Sequence, residues 1–311
     1  MPRILLPAAL GAAVALALAL FPNAPYANAG DNFYQDGATG SDVSFPQCGT
    51  SLPSGSYFAV VGVTNGSAWS ANPCLATLYQ WAAARTGAPS FYVNTGNPGP
   101  ISTHWGATGP HTCADPSSYA DTGCAYNYGW AAAHDAYTIA TNATSASAVR
   151  NAFWWLDVET ANSWNGTFAA NTEALNGWLD YLAIRAVAGV GVYSTGYQWG
   201  VITGGATGNV PNWVAGATNA ASAITKCGQP FTGGPVYLTQ YVTTFDIDYA
   251  CARPTASGAV ANQTPGVLVP GKQRSRATPT ATPKTDSTRK KPTATPPPTA
   301  TPRRGDPIRP R

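Results

Sequence analysis

The chain is short of charge, and the shortage is uneven. Charged residues make up 10% of the sequence, and from Gly30 to Pro254 there are five Lys or Arg against twelve Asp or Glu, a net −7. An acidic globular part argues against nucleic acid as ligand, because phosphate binding needs a basic patch on the folded surface. No Gly-x-Gly-x-x-Gly follows any candidate strand and no Walker loop occurs, so nucleotide binding has no support. Cys-x-x-Cys spacing is absent, and the three histidines, His104, His111 and His134, match no zinc helix motif. No metal or cofactor is therefore expected, and the histidines read as solvated side chains. Without a Gly-x-Ser-x-Gly elbow there is no serine nucleophile of the hydrolase type either.

What is present begins with an export signature. Met1-Pro2-Arg3 precedes an apolar stretch from Ile4 to Phe21, and Ala27-Asn28-Ala29 offers a small-x-small cleavage site. This predicts a signal peptide over 1–29, the alternative being an uncleaved anchor. All six cysteines lie beyond it, an even number that in an exported chain favours disulfides. Of the fifteen possible pairings, sequence neighbours are favoured: Cys113 with Cys124 closing a Pro/Gly/Asp-rich loop, Cys227 with Cys251, and Cys48 with Cys74. From Thr255 to Arg311 the chain repeats Thr-Pro units with eleven Lys or Arg and two Asp or Glu. That segment reads as a disordered basic tail, suited to retention on an anionic cell surface. The expected location is extracellular, free or associated with a cell wall, and the expected state is a monomer.

The remaining span, 30–254, has the size of one α/β barrel. Apolar, β-branched or aromatic runs at 58–63, 90–94, 153–158, 189–193, 213–215 and 236–241 suit strands buried on both faces. Ala-rich helical stretches at 73–85, 128–141 and 171–186 lie between them. The alternation predicts a parallel α/β sheet, open or closed, with a modified TIM-like (β/α) barrel in a single domain as the preferred architecture.

The strongest chemical signal is Trp154-Trp155-Leu156-Asp157-Val158-Glu159-Thr160, an apolar strand ending in two carboxylates. Strand alternation puts Asp157 and Glu159 on one face, where their charges influence each other. Such a pair should titrate apart, the arrangement required for protonating a glycosidic oxygen. The C-terminal end of a strand is also where barrel enzymes keep their chemistry. Asp42, and Asp246 with Asp248, flank the pair in sequence and would reach the same mouth if the first and last strands close a barrel.

Asp42-Val43-Ser44 with Gln47, Leu156-Asp157-Val158-Glu159, Gly191-Val192-Tyr193-Ser194, Asn212-Trp213-Val214-Ala215, Gln240-Tyr241 and Asp246-x-Asp248 occur in this order. The set resembles the landmarks of glycoside hydrolase family 25 lysozymes across nearly the whole globular part. The resemblance implies a modified α/β barrel that cleaves the bond after N-acetylmuramic acid in peptidoglycan. It implies Glu159 as general acid and Asp157 as the group that orients or stabilises the substrate's N-acetyl group. Asp42 and Asp248 would complete an acidic floor, with Tyr193 and Trp213 lining the sugar groove and Gln240, Tyr241 and Asp246 beside them.

Three features depart from that family. The strand at 91–94 lacks its aromatic-His-Phe pattern, Thr239 stands where Trp commonly precedes Gln-Tyr, and an extra Cys-bounded loop spans about residues 95–125. A non-catalytic wall-binding protein and a glycosidase for another polysaccharide on the same barrel stay open as alternatives. Ten tryptophans and fifteen tyrosines supply faces for sugar stacking. Trp105, Trp130, Trp164 and Trp199 occupy loop-like or loop-adjacent settings; Trp155 and Trp164 are the preferred groove candidates, and Trp81, Trp154 and Trp178 are expected in the core.

Overall fold

The computed structural model describes residues 33–106, 108–252 and 267–271. The signal segment and the chain beyond 271 lie outside the described residues. Eight strands close into a barrel in sequence order: β1 (Thr39–Val43), β2 (Phe58–Gly62), β3 (Ser90–Asn94), β4 (Phe153–Asp157), β5 (Gly189–Ser194), β6 (Asn212–Ala217), β7 (Val236–Val242) and β8 (Asp246–Ala250). Six helices cover it: α1 (Leu75–Ala83), α2 (Thr122–Ala143), α3 (Ala146–Asn151), α4 (Phe168–Ile184), α5 (Gly196–Thr203) and α6 (Ala220–Lys226). Among the described residues no helix is long and apolar enough to cross a membrane.

The sheet is mixed rather than fully parallel. β1 to β7 pair in parallel, whereas β8 runs antiparallel to both β7 and β1. The reason is local: residues 243–245 turn β7 directly into β8, and a connection that short permits only a hairpin. β8 therefore starts at the mouth where the other strands end, which puts Asp246 opposite Asp42 and Asp248 opposite Gly40, deeper in the barrel.

Helix starts follow from short polar side chains. Asp121, Ser145, Thr167, Thr195 and Asn219 each accept a backbone N–H at the start of α2 to α6. The long helices α2 and α4 touch backbone to backbone through Gly129 and Gly177. A Cβ at either position would collide with the facing helix, at Ala174 O or Tyr126 O.

Apolar packing forms an outer core between strands and helices, including Phe91, Trp154, Trp178 and Leu175. A separate inner core of Phe58, Phe153, Trp155, Trp213 and Leu238 is completed by Tyr34 from the segment before β1. Tyr34 and Ser90 hydroxyls meet at 2.6 Å, and the Trp155 indole donates to the Tyr34 hydroxyl at 2.7 Å. The cysteines pair as neighbours: Cys48–Cys74, Cys113–Cys124 and Cys227–Cys251.

Part of the segment assigned to the tail packs on the barrel. Leu268 is 1% exposed and joins the outer core. The Asn176 side chain on α4 donates to Leu268 O at 3.1 Å and accepts from Leu268 N at 2.9 Å, while Thr207 and Val269 exchange backbone hydrogen bonds. Residues 267–271 thus pack with the barrel, and a boundary at 254 falls short of these contacts. A chain ending at residue 254 would lose the Leu268 burial and leave the buried Asn176 carbonyl oxygen without its Leu268 donor, while the amide nitrogen keeps Glu173, at a cost of about 4 kcal/mol. Scanning calorimetry is expected to show it melting roughly 10 °C below a chain ending at residue 273. Equal melting temperatures would contradict this role for the segment.

Candidate active site

A cavity of about 210 Å³ opens at the end of the barrel where β1 to β7 finish. Asp42, Asp157, Glu159 and Asp246 contribute four carboxyl groups to its wall, and Tyr92, Tyr193 and Trp213 contribute aromatic rings. Asn94 and Gln240 complete the lining. Asp157 is the last residue of β4; Glu159, two residues on, emerges on the same side and is less buried.

Asp157 is 4% exposed. One of its carboxylate oxygens, Oδ2, accepts from Asn94 Nδ2, and Asn94 is held by Thr64, whose hydroxyl donates to Asn94 Oδ1 at 2.8 Å. The other, Oδ1, is buried with no hydrogen-bond partner. Glu159 is fixed differently: the Trp164 indole donates to its backbone carbonyl at 2.9 Å, and Gln198 Nε2 reaches its Oε1 at 3.4 Å. Gln198 Oε1 in turn accepts from Thr160 N and Oγ1, at 2.6 and 2.9 Å. Across the cavity, Tyr193 Oη donates to Gln240 Oε1 and Gln240 Nε2 donates to Asp42 Oδ2, both at 2.8 Å.

Burial and mutual repulsion keep protons on several of these acids. Asp157 is pushed up to about 7, first by burial and then by the Glu159 charge, against the opposing hydrogen bond of Asn94 and the nearby Asn162 amide. Asp42 is pushed up to about 8 by burial and by the charge of Asp246, with Gln240 opposing. Asp246 is raised by burial, and Asp248, 0% exposed with both carboxylate oxygens unpartnered, lies well above the carboxylate range. The same acids and burial hold Tyr92 and Tyr193 neutral.

The remaining sequence candidates divide. Asp248 lies one layer below the cavity, beside the Trp213 indole, and is not part of its lining. Trp155 is corrected from groove to core: it shares an inward face with Asp157 but sits a layer deeper, fully buried against Tyr34, Phe153 and Trp213. Tyr241 follows Gln240 on β7, so alternation turns it away from the cavity. Trp164 faces a neighbouring cleft while supporting Glu159 from behind. Trp199 is buried, Trp130 packs between helices, and Trp81 is half-buried on the outer surface. All three histidines are exposed; His104 stacks on Trp69 and His111 on Tyr126, and His134 lies on α2.

Tyr92 and Asn94 line the cavity and Gln198 contacts Glu159, three residues outside the motifs that mark the site in the sequence. An inward position at a strand end was available as a signal for Tyr92 and Asn94, whereas Gln198 sits on a helix with no motif around it. Among the described residues, Cys113, Asp121 and Cys124 come within reach of one another as metal-type ligands, but the two sulfurs are joined and Asp121 caps α2.

No family model and no curated protein matches the chain. Solved structures do. A muramidase from Trichobolus zukalii is similar at 18% identity, with 70% of this chain and 94% of that one covered and a TM-score of 0.46. A bacterial lysozyme from Streptomyces coelicolor is similar at 17% identity over 72% and 95% of the two chains, with a TM-score of 0.43. A family GH25 lysozyme from Aspergillus fumigatus matches at 14% identity over 70% and 95%, also with a TM-score of 0.43.

Proposed function

We propose that the protein is an exported glycoside hydrolase of lysozyme type that cleaves peptidoglycan or a related amino-sugar polymer. The observation that carries this reading is the pair Asp157 and Glu159, one buried and one more open, at the end of β4 in a cavity walled by aromatic rings. Two carboxyl groups in unlike environments beside a sugar-sized opening suit acid-assisted cleavage of a glycosidic bond. Three disulfides suit an oxidising location.

In this mechanism the proton that Asp157 holds in the resting site is passed to the neighbouring Glu159. Glu159, the more open member, delivers it to the leaving glycosidic oxygen. Asp157, then ionised, stabilises the positive charge that develops at the anomeric carbon, directly or through the substrate's N-acetyl group. Asn94 supports that role by donating to its carboxylate. Asp157 loses its proton as pH rises through about 7, so turnover is expected to decline on the alkaline side of neutrality.

The substrate class is tested by assaying reducing-end release from purified peptidoglycan beside a panel of neutral polysaccharides. Release confined to the amino-sugar polymer is expected. Cleavage of a neutral glycan with peptidoglycan untouched would replace the substrate assignment while leaving the chemistry intact.

A further inference from the structure

A second cavity, of about 360 Å³, lies beside the acidic one and is built from three consecutive strand-to-helix loops. Ser67 and Trp69 come from the loop after β2, Thr95, Ser102 and His104 from the loop after β3, and Asn162 and Ser163 from the loop after β4. The two cavities meet at one residue. Asp157 lines the acidic cavity with its side chain, and its backbone carbonyl accepts from Thr95 Oγ1 at 2.6 Å and Asn162 Nδ2 at 3.1 Å, both residues of the second cavity.

Trp69 is the unusual member. Its φ of +65° lies in the left-handed region, which an aromatic residue adopts only when its surroundings enforce it, and such residues gather at ligand clamps. The ring is held in place by His104, which stacks on it at 3.8 Å with the planes 3° apart. Its indole nitrogen looks toward the Tyr128 hydroxyl without closing a hydrogen bond. Two of the three disulfides anchor the loops concerned: Cys48–Cys74 at the end of the loop after β2, and Cys113–Cys124 joining the loop after β3 to α2. A site made rigid in this way loses little freedom on binding.

The lining also says what fits. It offers hydroxyls from Ser67, Ser102, Ser163 and Thr95, the Asn162 amide and aromatic faces, with no Asp, Glu, Lys or Arg. Neutral hydrogen-bonding groups beside aromatic rings suit a sugar, whose hydroxyls and apolar ring faces match them, better than a charged peptide. Resting on the glycosidase reading above, we propose that this cleft is a second sugar site, seating a further stretch of the chain whose cleavable bond lies over Asp157 and Glu159.

Trp69→Gly removes the ring and relieves the left-handed strain but gives up its packing against the outer core, so the melting temperature is expected to fall by a few degrees with the fold kept, and Trp69→Phe keeps a smaller face. Binding is measured by calorimetry in a Glu159→Gln background, with β-1,4-linked N-acetylglucosamine oligomers from dimer to hexamer as probes. Trp69→Gly is expected to weaken the hexamer roughly ten-fold and leave the dimer unchanged, with Trp69→Phe in between. In the active protein, KM for purified peptidoglycan should rise by a similar factor at constant kcat. An equal loss for dimer and hexamer, or no loss for either, would overturn the second site and leave the catalytic reading standing. If the unsubstituted protein binds these oligomers with Trp69 dependence and cleaves nothing, the catalytic reading fails and the second site stands.

Discussion

Glu159→Gln is expected to lower kcat by roughly a thousand-fold with KM and melting temperature little changed. Glutamine preserves the shape of the side chain and can still meet Gln198, and it leaves in place the Trp164 hydrogen bond, which goes to the backbone of residue 159. The change removes the exchangeable proton and little else. Asp157→Asn should also impair turnover, but by a different route. In the proposed mechanism it deletes the charge that stabilises the transition state, while its amide oxygen can still accept from Asn94. Purified variants assayed for turnover and melted side by side check both outcomes. Full activity in Glu159→Gln would remove that residue from the mechanism.

The second large effect concerns pH and stability. Asp42, Asp157 and Asp248 have folded-state pKa values raised by burial, toward about 8 and about 7 for the first two and well above the carboxylate range for the third. A carboxyl raised in this way binds its proton more tightly in the folded chain than in the unfolded one. The stability it allows is complete below pH 4 and is lost as pH climbs through the raised values. From pH 4 to pH 8 the loss is on the order of several kcal/mol, which lowers the melting temperature by about 10 °C or more. Asp248→Asn should narrow the gap, since a neutral amide replaces an acid whose oxygens have no partner. Calorimetry across that range is the check. A melting temperature at pH 8 equal to or above that at pH 4 would contradict the electrostatics of the site.

The central strands were legible because they are apolar on both faces: Phe58–Gly62 and Phe153–Asp157 stand out as continuous runs. β1 and β8 did not, because Asp42, Asp246 and Asp248 interrupt the apolar pattern that identifies a strand. Site residues thus concealed the elements that carry them. Alternation placed Asp157 and Glu159 correctly on one side but could not tell the depth of Trp155, which has the same orientation one layer down. The docked segment at 267–271 is too short to stand out from its Thr/Pro-rich surroundings, and its burial depends on Asn176 and Thr207, far away in sequence. The cavity holding Trp69 was invisible for a similar reason: it exists only where three loops from successive strands meet.

Hydrolysis of a glycosidic bond is read out by mass spectrometry of the soluble fragments released from purified peptidoglycan. Fragments carrying new reducing-end amino sugars, consistent with the bond after N-acetylmuramic acid, are expected from the unsubstituted protein and not from Glu159→Gln. A folded protein that releases no fragments, or releases fragments with new amino groups and no new reducing ends, would contradict it.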